Sequence, residues 1–401
     1  MSKIKKNTEY TFKYNINAGR HGWLRLTPAY LVKVVEEVLK KLSYKPKMIL
    51  EPFSGTGTTE LVCANNGFCS TAYDINPFLV WVADVKTRKY TEEDNLNYYN
   101  AVHQIIGNIQ DYEEADYPNI HNIERWWNPM QLKFLAKLKT VIWNEQNVNV
   151  KDLLKMSFCR TLIEVSNASF SHVSTSFKDN TEEDNFTFSQ GKDIFLQICK
   201  MIAKTASINP VAKSTVINRD SKNIGDELKE NFDTLITSPP YPNRISYIRE
   251  LRPYMYWLGY IESSNDASEL DWNTIGGTWG AATSKLSDWE VSSEILPDYL
   301  FDITNKIAKE DNRSANLMAK YVLKYFNDMS FHFSSVMESI VEGGTVHYIV
   351  GNSNFYGNSV PSDKLYEDLL KTVGFRNVKT EIIRKRNCNK ELFEYVISAE
   401  K

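Results

Sequence analysis

The chain contains 401 residues, of which 42% are hydrophobic and 24% are charged, and its formal net charge is −3. This composition is typical of a folded globular protein, and the length allows one large core with an inserted or appended module. The weakly negative net charge excludes nucleic-acid binding through an overall positive charge, so such binding would need a local basic patch. The five cysteines form no Cys-x-x-Cys pair, which argues against a zinc site and a disulfide framework, and we expect no metal.

The chain starts with Met-Ser-Lys-Ile-Lys-Lys, and no apolar segment follows these lysines as it would in a secretory signal peptide. No apolar run approaches the length that spans a bilayer. We therefore expect a cytoplasmic protein without a membrane partner.

The first elements predict half of a doubly wound α/β sheet. After a polar arm, Thr27-Pro28 predicts the start of a helix that ends near Leu42, with Thr27 as its N-cap. Residues 47–50 predict a short buried strand, and residues 68–73 predict a second strand that ends at Asp74. A glycine-containing turn and a helical stretch connect these strands, which is the order of a nucleotide-binding half-sheet.

The middle of the chain changes character before the strand pattern returns. Residues 91–210 have helical apolar spacing and predict a mostly helical insertion, whereas residues 261–330 have an irregular composition. Strands are predicted at residues 214–217, 234–237, 345–350, 378–384 and 392–399. Helices are predicted at residues 317–342, where Gly343-Gly344 would end the helix, and at residues 362–373.

A stiff turn follows the strand pattern at residues 234–237. Ser238-Pro239-Pro240-Tyr241 places two consecutive prolines at the strand end. Since proline fixes φ and lacks a backbone N–H, neither a helix nor a sheet ladder can continue. The carbonyl groups of this turn therefore have no partner in regular structure. A hydroxyl and a carbonyl beside an aromatic ring suit a flat, amino-bearing substrate such as a nucleobase; a plain surface turn is the alternative.

The turn after the first strand contains Gly55 and Gly57 but not the complete Gly-x-Gly-x-x-Gly pattern. Between a strand and a helix, such glycines permit close backbone approach to a ligand, and the helix offers free N–H groups. Asp74 can accept hydrogen bonds from ribose hydroxyls, or else caps the helix before Pro77. Asp220 is placed to accept from an adenine amino group, or else caps a turn. No Lys-Ser or Lys-Thr follows the glycines, so an adenosine compound without a polyphosphate fits best.

These segments together resemble the S-adenosylmethionine-dependent amino-methyltransferases that act on DNA. Glu51-Pro52-Phe53-Ser54-Gly55-Thr56-Gly57-Thr58-Thr59 resembles their motif I, Asp74-Ile75 their motif II, and Asp220-Ser221 their motif III. Thr237-Ser238-Pro239-Pro240-Tyr241 resembles motif IV, and the segment from His21 through Trp23 to Thr27-Pro28 resembles motif X. The cofactor motifs precede the catalytic motif, which excludes the permuted class in which motif IV comes first.

The resemblance implies a doubly wound, Rossmann-like methyltransferase sheet with a helical insertion and a target-recognition region. It implies S-adenosyl-L-methionine as cofactor, held by residues of motifs I, II, III and X and by Thr237. The implied segments are the motif X arm with the cofactor-binding half (1–90), the helical insertion (91–210) and the catalytic half (211–260). They are followed by an irregular or helical region (261–330) and by the closing helices and strands (331–401).

The implied chemistry can be reasoned from the tetrad Ser238–Tyr241. An exocyclic amine is a poor nucleophile because its lone pair is delocalised into the base. If the amine donates to the Ser238 hydroxyl and the Pro239 carbonyl, its nitrogen can become more tetrahedral while Tyr241 stacks on the ring. In-line positioning then supplies most of the acceleration without a covalent intermediate, and the base must first leave the duplex stack. Attack on cytosine carbon 5 is excluded because no cysteine follows a proline.

Ser238 resembles the first tetrad residue of cytosine-N4 enzymes, whereas most adenine-N6 enzymes carry Asp or Asn there. Cytosine N4 is therefore the preferred target. Adenine N6, an RNA substrate and a non-catalytic DNA-binding protein on the same fold stay open. The resemblance implies a prokaryotic cytoplasmic protein that acts on double-stranded DNA, with a cognate restriction endonuclease that acts separately. The sequence does not indicate the recognition site or the oligomeric state.

Candidate DNA contacts are basic residues near the catalytic turn and near the end of the chain. Their members are Arg244, Arg249, Arg252 and Lys385. A solvated helix face or a hairpin tip is the alternative for these residues. Base-reading contacts are expected in residues 90–210 or 261–330, where Trp126-Trp127 could read DNA or belong to the core. His21, His172, His332 and His347 are expected to be structural and not metal ligands.

Overall fold

The structure is a computed structural model. It describes residues 15, 18–24, 31–169, 176–177, 186–224, 231–243, 246–277, 282–386 and 391–401. Two residues with predicted roles, Thr27 and Arg244, lie outside these ranges.

Among these residues, the strands in chain order are β1 (Ile49–Glu51), β2 (Ser70–Asp74), β3 (Ala168–Ser169), β4 (Ser176–Phe177), β5 (Ser214–Asn218), β6 (Phe232–Thr237), β7 (Ile340–Gly351), β8 (Ser353–Phe355), β9 (Asn358–Val360), β10 (Arg376–Lys385) and β11 (Phe393–Glu400). Strands β3 with β4 and β8 with β9 form small separate sheets. The other seven form the central sheet, which includes every strand that the sequence predicts.

The central sheet has the order β10-β11-β7-β6-β1-β2-β5. Strand β11 is antiparallel to both neighbours, and the remaining pairs are parallel. This arrangement confirms the predicted α/β, Rossmann-like methyltransferase sheet. The chain winds from β1 to one edge and then resumes at β6 on the other side of β1. The carboxyl ends of β1 and β6 therefore flank the switch point where ligands bind in such sheets.

The two strands at the switch point are central to the molecule. Strand β1 is buried at every residue, and β6 is buried at five of its six residues. Burial on both faces is typical of parallel strands covered by helices on each side. Leu50 and Leu235 pack into the cluster on one face, and Ile49 and Ile236 pack into the cluster on the other. The site at the carboxyl ends therefore rests on a rigid base.

Helices cover both faces of this sheet. In chain order they are a short 3-10 helix (Gly19–Trp23), α1 (Val32–Lys41), α2 (Thr58–Asn65), α3 (Pro77–Thr87), α4 (Glu92–Asn108), α5 (Ile123–Trp126), α6 (Pro129–Asn144), α7 (Val148–Glu164), α8 (Phe188–Ala206), α9 (Tyr247–Leu258), α10 (Ser264–Asn273), α11 (Ala282–Asp288), α12 (Asp298–Ala308), α13 (Ala315–Ser339) and α14 (Ser362–Val373).

Helices α4 to α8 form the region that the sequence predicts as an insertion. Capping boxes at Thr91, Asn128 and Thr187 start α4, α6 and α8, because each side chain accepts from the backbone three residues later. These helices share a core with the Trp127 ring, whose Nε1 donates to the Leu162 carbonyl at 2.9 Å. Trp127 is fully buried, so it belongs to the core and does not face a ligand.

Two predicted helix boundaries are wrong. Leu31 has an extended backbone and α1 begins at Val32, so the helix predicted from Pro28 does not pass through Leu31. Helix α13 ends at Ser339, and β7 begins directly at Ile340. Gly343, with a φ of +75°, therefore lies inside β7, where the register against β6 shifts, instead of ending the helix.

No helix in the described ranges is long and apolar enough to cross a bilayer. In the same ranges, no three His, Cys, Asp or Glu side chains group in a way that could hold a metal ion.

Candidate active site

A cavity of about 390 Å³ opens at the carboxyl ends of β1, β2 and β6. Most of the predicted site residues line it: Pro52, Phe53, Ser54, Gly55, Thr56, Thr58, Asp74, Ile75, Asp220, Ser221, Ser238, Pro239, Pro240 and Tyr241. The structure thus brings motifs I, II, III and IV to one space, although they are spread over residues 51–241. Four other residues of motifs I and IV are buried and do not line the cavity: Glu51, Gly57, Thr59 and Thr237.

Glu51 organises the glycine turn from below. Its carboxylate is fully buried and accepts from the Phe53 N–H at 2.9 Å and from the Thr59 hydroxyl at 2.6 Å. The Thr237 hydroxyl of β6 donates to the same carboxylate. A buried carboxylate needs such donors, since an unsatisfied one would be costly. Glu51 therefore ties the start of motif I to the end of the strand that carries motif IV.

The turn between β1 and α2 depends on its two glycines. Gly55 and Gly57 have φ of +54° and +74°, which side chains other than glycine rarely adopt. A Cβ on Gly57 would also lie 2.9 Å from the Cβ of Ala83 in α3. Gly57 caps α2, so the first N–H groups of that helix have no partner within the helix. These N–H groups suit an anionic or oxygen-bearing ligand group.

Asp74 closes the turn from the side of β2. Its Oδ2 accepts from the Gly55 N–H at 2.8 Å, and its Oδ1 accepts from the Asn76 N–H at 2.8 Å. Desolvation raises the pKa of Asp74 to about 6, although the two N–H donors oppose this rise. The residue that caps α3 ahead of Pro77 is Asn76, whose side chain accepts from the Phe78 N–H at 3.0 Å. The carboxylate of Asp74 is thus held at the cavity wall.

Asp220 and Ser221 reach the cavity from the loop after β5, which ends at Asn218. Asp220 accepts from the Lys222 N–H at 2.9 Å, as a turn-capping carboxylate does. The Ser221 carbonyl lies 2.9 Å from Nδ1 of His332 in α13. Burial lowers the pKa of His332 to about 4, so its ring is neutral and holds this loop against the core.

The double-proline turn is braced from α13. The Pro240 carbonyl accepts from the Tyr325 hydroxyl at 2.7 Å, and Tyr325 in turn pairs with the Tyr366 hydroxyl at 2.6 Å. The Tyr241 N–H donates to the Tyr247 hydroxyl at 3.3 Å. One carbonyl of the turn is therefore satisfied by the protein, and the turn has little freedom to relax.

Tyr241 is oriented by residues of the β10–β11 hairpin. Its hydroxyl donates to Glu394 Oε1 at 2.7 Å, and Glu394 Oε2 accepts from Arg384 Nε at 2.7 Å. Burial and the neighbouring Glu394 raise the pKa of Tyr241 well above its usual range, so the hydroxyl keeps its proton. The guanidinium of Arg386 lies 5.3 Å from the centre of the Tyr241 ring. Three hairpin residues thus join the cavity wall.

Glu394, Arg384 and Arg386 are not among the site residues predicted from the sequence. Lys385 is the predicted DNA contact near the end of the chain; its Nζ lies 5.7 Å from the centre of the Phe393 ring, and it does not line the cavity. Because successive strand side chains point to opposite faces, the neighbours of Lys385 reach the site. A usable signal was the acid at position 394 within a predicted apolar strand, since a buried carboxylate in a strand needs a partner.

The motif X segment does not reach the cavity in the described residues. Trp23 is fully buried, and its Nε1 donates to the Thr205 hydroxyl at 2.6 Å. Burial lowers the pKa of the neighbouring His21 to about 3. Arg20 donates to the Lys86 carbonyl at 3.0 Å, and Lys86 Nζ donates to the Thr56 carbonyl at 2.6 Å. This segment therefore supports the glycine turn from behind, through the buried Lys86.

The predicted arginines of α9 also lie off the cavity. Ile248 and Leu251 of this helix line it, whereas Arg249 is exposed and Arg252 is half-buried. A phosphate contact through Arg249 or Arg252 would therefore be made beside the cavity and not within it.

Comparison with known proteins gives a consistent answer at low identity. No protein-family model matches the chain. The chain is 22% identical to Type II methyltransferase M.BsoBI of Geobacillus stearothermophilus over 94% of this chain and 83% of that protein. It is 20% identical to Type II methyltransferase M.AvaI of Anabaena variabilis, over 93% and 82%. It is 22% identical to Type II methyltransferase M.MvaI of Kocuria varians, over 92% and 85%. The chain is therefore homologous, over nearly its whole length, to type II methyltransferases.

Proposed function

We propose that this protein is a site-specific DNA methyltransferase that transfers a methyl group from S-adenosyl-L-methionine to the N4 amine of a flipped cytosine. The observation that carries the proposal is the single cavity in which the glycine turn, Asp74 and the tetrad Ser238–Tyr241 meet at the switch point of the sheet. The homology to type II methyltransferases supports methyl transfer to DNA and does not bear on which base is the target.

The side of the cavity formed by β1, β2 and the β5 loop suits the cofactor. Asp74 offers a carboxylate to ribose hydroxyls, as the acid after the second strand does in dinucleotide-binding folds. The glycine turn and the N–H groups of α2 suit the carboxylate of the methionine portion. Asp220 is placed for the adenine amino group. When bound, the cofactor supplies a methyl group on a positively charged sulfur, which is already activated for displacement.

The tetrad acts on the base by hydrogen bonding and stacking. The Ser238 hydroxyl and the Pro239 carbonyl accept hydrogen bonds from the two N–H groups of the amine, which draws the nitrogen towards tetrahedral geometry and makes its lone pair available. Tyr325 holds the adjacent Pro240 carbonyl, so the turn stays in place during this change. Tyr241 stacks on the base, and Glu394 fixes the direction of its ring. Positioning of this kind supplies acceleration without a covalent intermediate.

The choice of cytosine N4 depends on Ser238. A neutral hydroxyl is sufficient to accept a hydrogen bond from the cytosine amine, and serine at this place resembles the cytosine-N4 enzymes. Adenine N6 is the alternative target for the same chemistry. In either case the base must leave the duplex stack, because the amine is unreachable inside it.

We also propose the DNA contacts of this enzyme. They are phosphate contacts through Arg244, Arg249, Arg252 and Lys385, which would contribute affinity without reading sequence. A restriction endonuclease that cleaves the same site would be the functional partner in a prokaryotic cytoplasm, because methylation then protects the host DNA.

Label transfer from methyl-labelled cofactor tests this proposal. The protein is incubated with mixed duplex DNA or with RNA, and cofactor binding is measured separately by calorimetry. We expect label in duplex DNA, and we expect Tyr241→Ala to bind cofactor but to transfer little label. Absence of cofactor binding, or label in RNA alone, would contradict the proposal.

A further inference from the structure

Arg386 is a cation on the cavity wall whose hydrogen-bonding groups are incompletely used. Its Nη2 donates to the Asn352 carbonyl, and its guanidinium lies 5.3 Å from the centre of the Tyr241 ring. Its Nε is buried and has no hydrogen-bond partner. Within the described ranges, no carboxylate lies at ion-pair distance from Arg386. A buried donor without a partner is costly, and such a group in a native structure needs an explanation.

The surroundings of Arg386 bring its guanidinium to the ring of Tyr241. A Cβ on Gly351 would lie 2.6 Å from its Cζ, so the absence of a side chain there admits the guanidinium. Its backbone N–H donates to the Leu392 carbonyl at 2.7 Å, which closes the hairpin. Glu394, an acid on the same wall, already accepts from Tyr241 and Arg384. Within the described ranges, the Nε of Arg386 is therefore available to a bound ligand.

The position of Tyr241 limits what that ligand can be. Ser238 and Pro239 would hold the amine of a base that stacks on Tyr241, and the Ser238 side chain lies within hydrogen-bond reach of the Tyr241 hydroxyl. Arg386 lies over the ring of Tyr241 and lines the same cavity. A base held at its amine and stacked on Tyr241 would therefore lie within reach of Arg386, which can meet the acceptors next to the amine.

The two alternative bases differ at the edge next to the amine. In cytosine, the N4 amine is followed by N3 and then by O2, and both are acceptors. In adenine, the N6 amine is followed by the acceptor N1 and then by a C–H group. A guanidinium presents parallel N–H donors that match two adjacent acceptors. Such bidentate contacts discriminate between bases on their hydrogen-bonding pattern.

We infer that Arg386 recognises the flipped cytosine by donating to N3 and O2, and so determines which base is methylated. This inference rests on the proposed function and names a specificity-determining residue for it. When the base stacks on Tyr241, the guanidinium moves from the ring of Tyr241 to the edge of the base.

The test is a comparison of substrates that differ only at N3. Duplexes carry either cytosine or 3-deazacytosine at the target position of a site that the wild-type protein methylates, and kcat/KM is measured for each. The kcat/KM for cytosine divided by that for 3-deazacytosine is compared between wild type and Arg386→Ala. Intrinsic effects of the analogue cancel in this comparison. We expect the wild-type ratio to exceed the variant ratio on the order of 10-fold.

Two further variants make the outcome specific. Arg386→Lys keeps the charge but not the planar fork, so we expect a ratio close to that of Arg386→Ala. Lys385→Ala is the matched control, and it should leave the ratio unchanged because Lys385 does not line the cavity. Cofactor affinity, measured for each variant, shows that the fold is intact.

Equal ratios in wild type and Arg386→Ala would overturn the inference. If Arg386→Lys restored overall activity and had the same ratio as the wild type, the inference would also be overturned, and a phosphate contact would be indicated. Failure of the proposed function looks different, because the wild type would then form no N4-methylcytosine in unmodified duplex DNA.

Discussion

The cofactor side and the base side of the cavity are assembled in different ways. On the cofactor side, the Gly55–Asp74 hydrogen bond joins residues only 19 positions apart, and the Glu51–Thr59 bond joins residues 8 apart. On the base side, Tyr241 is oriented by Glu394 across 153 residues, and Pro240 is braced by Tyr325 across 85 residues. The glycine turn with Asp74 is therefore largely a local strand-turn-helix unit, with Thr237 as a distant support, whereas the tetrad is oriented by distant elements.

This difference separates two functions that the same cavity performs. Residues of the local unit are expected to control cofactor affinity, because their hydrogen bonds shape the turn itself. Residues gathered from distant elements are expected to control the rate of transfer, because they orient the base without touching the cofactor turn. Substitutions on the two sides should therefore affect different kinetic constants.

The largest expected effect is that of Tyr241→Ala. Loss of the ring removes the stacking surface and the positioning of the base, and we expect the transfer rate at saturating cofactor to fall by about 100-fold or more. The dissociation constant of the cofactor should change by less than about threefold, since Tyr241 is not part of the glycine turn. Single-turnover kinetics gives the transfer rate, and calorimetry gives the cofactor dissociation constant. A comparable loss of rate and of affinity would contradict the separation of cofactor binding from base positioning.

Asp74→Ala should show the opposite pattern. It removes a carboxylate that holds the Gly55 N–H and is placed for the ribose, so we expect the cofactor dissociation constant to rise by about 10- to 100-fold. The transfer rate at saturating cofactor should stay within a few-fold of wild type. Calorimetry measures the affinity. An unchanged dissociation constant would show that Asp74 does not bind the cofactor.

Cofactor affinity should also depend on pH through Asp74. Its pKa is raised to about 6, so the carboxylate is ionised above this pH and protonated below it. Because only the ionised form accepts from both ribose hydroxyls, we expect binding at pH 5 to be about tenfold weaker than at pH 8. Asp74→Asn is the control, and its affinity should lack this component. An equal pH dependence in both proteins would assign the titration to another group.

The smallest expected effect concerns the Tyr241–Glu394 hydrogen bond. Tyr241→Phe keeps the ring and removes only this bond, so we expect a roughly 3- to 10-fold lower transfer rate with unchanged cofactor affinity. Glu394→Gln keeps an acceptor for the Tyr241 hydroxyl, so it should lower the transfer rate less than Tyr241→Phe does. The double variant should be no slower than Tyr241→Phe, because both changes act on one interaction. Additive losses would show that Glu394 acts independently of Tyr241.

The contrast also explains what the sequence could predict. The central strands, the glycine turn and Asp74 follow from short-range patterns, and the structure places them together as such patterns imply. Lys385 was selected from a basic cluster, whereas the structure places Arg384 and Arg386 at the cavity, because the facing of strand residues depends on pairing register. Glu394 was missed because its partner Tyr241 is distant in the sequence.

Supporting residues were the hardest to predict. Trp23 and Glu51 were assigned to cofactor contact by resemblance, yet they stand behind the wall, where Glu51 holds Thr59 and Thr237 and Trp23 packs against Thr205. A motif indicates that a residue is needed near a site. It does not distinguish a residue that touches the ligand from one that holds the turn, because both are constrained by the same geometry.

The most direct test of the account is the identity of the methylated nucleoside. Duplex DNA treated with the protein and methyl-labelled S-adenosylmethionine is digested to nucleosides, and the labelled product is identified by mass and by comparison with standards. The account predicts N4-methyldeoxycytidine. Label in N6-methyldeoxyadenosine would contradict the assigned base and the role of Arg386, and label in 5-methyldeoxycytidine would contradict the mechanism.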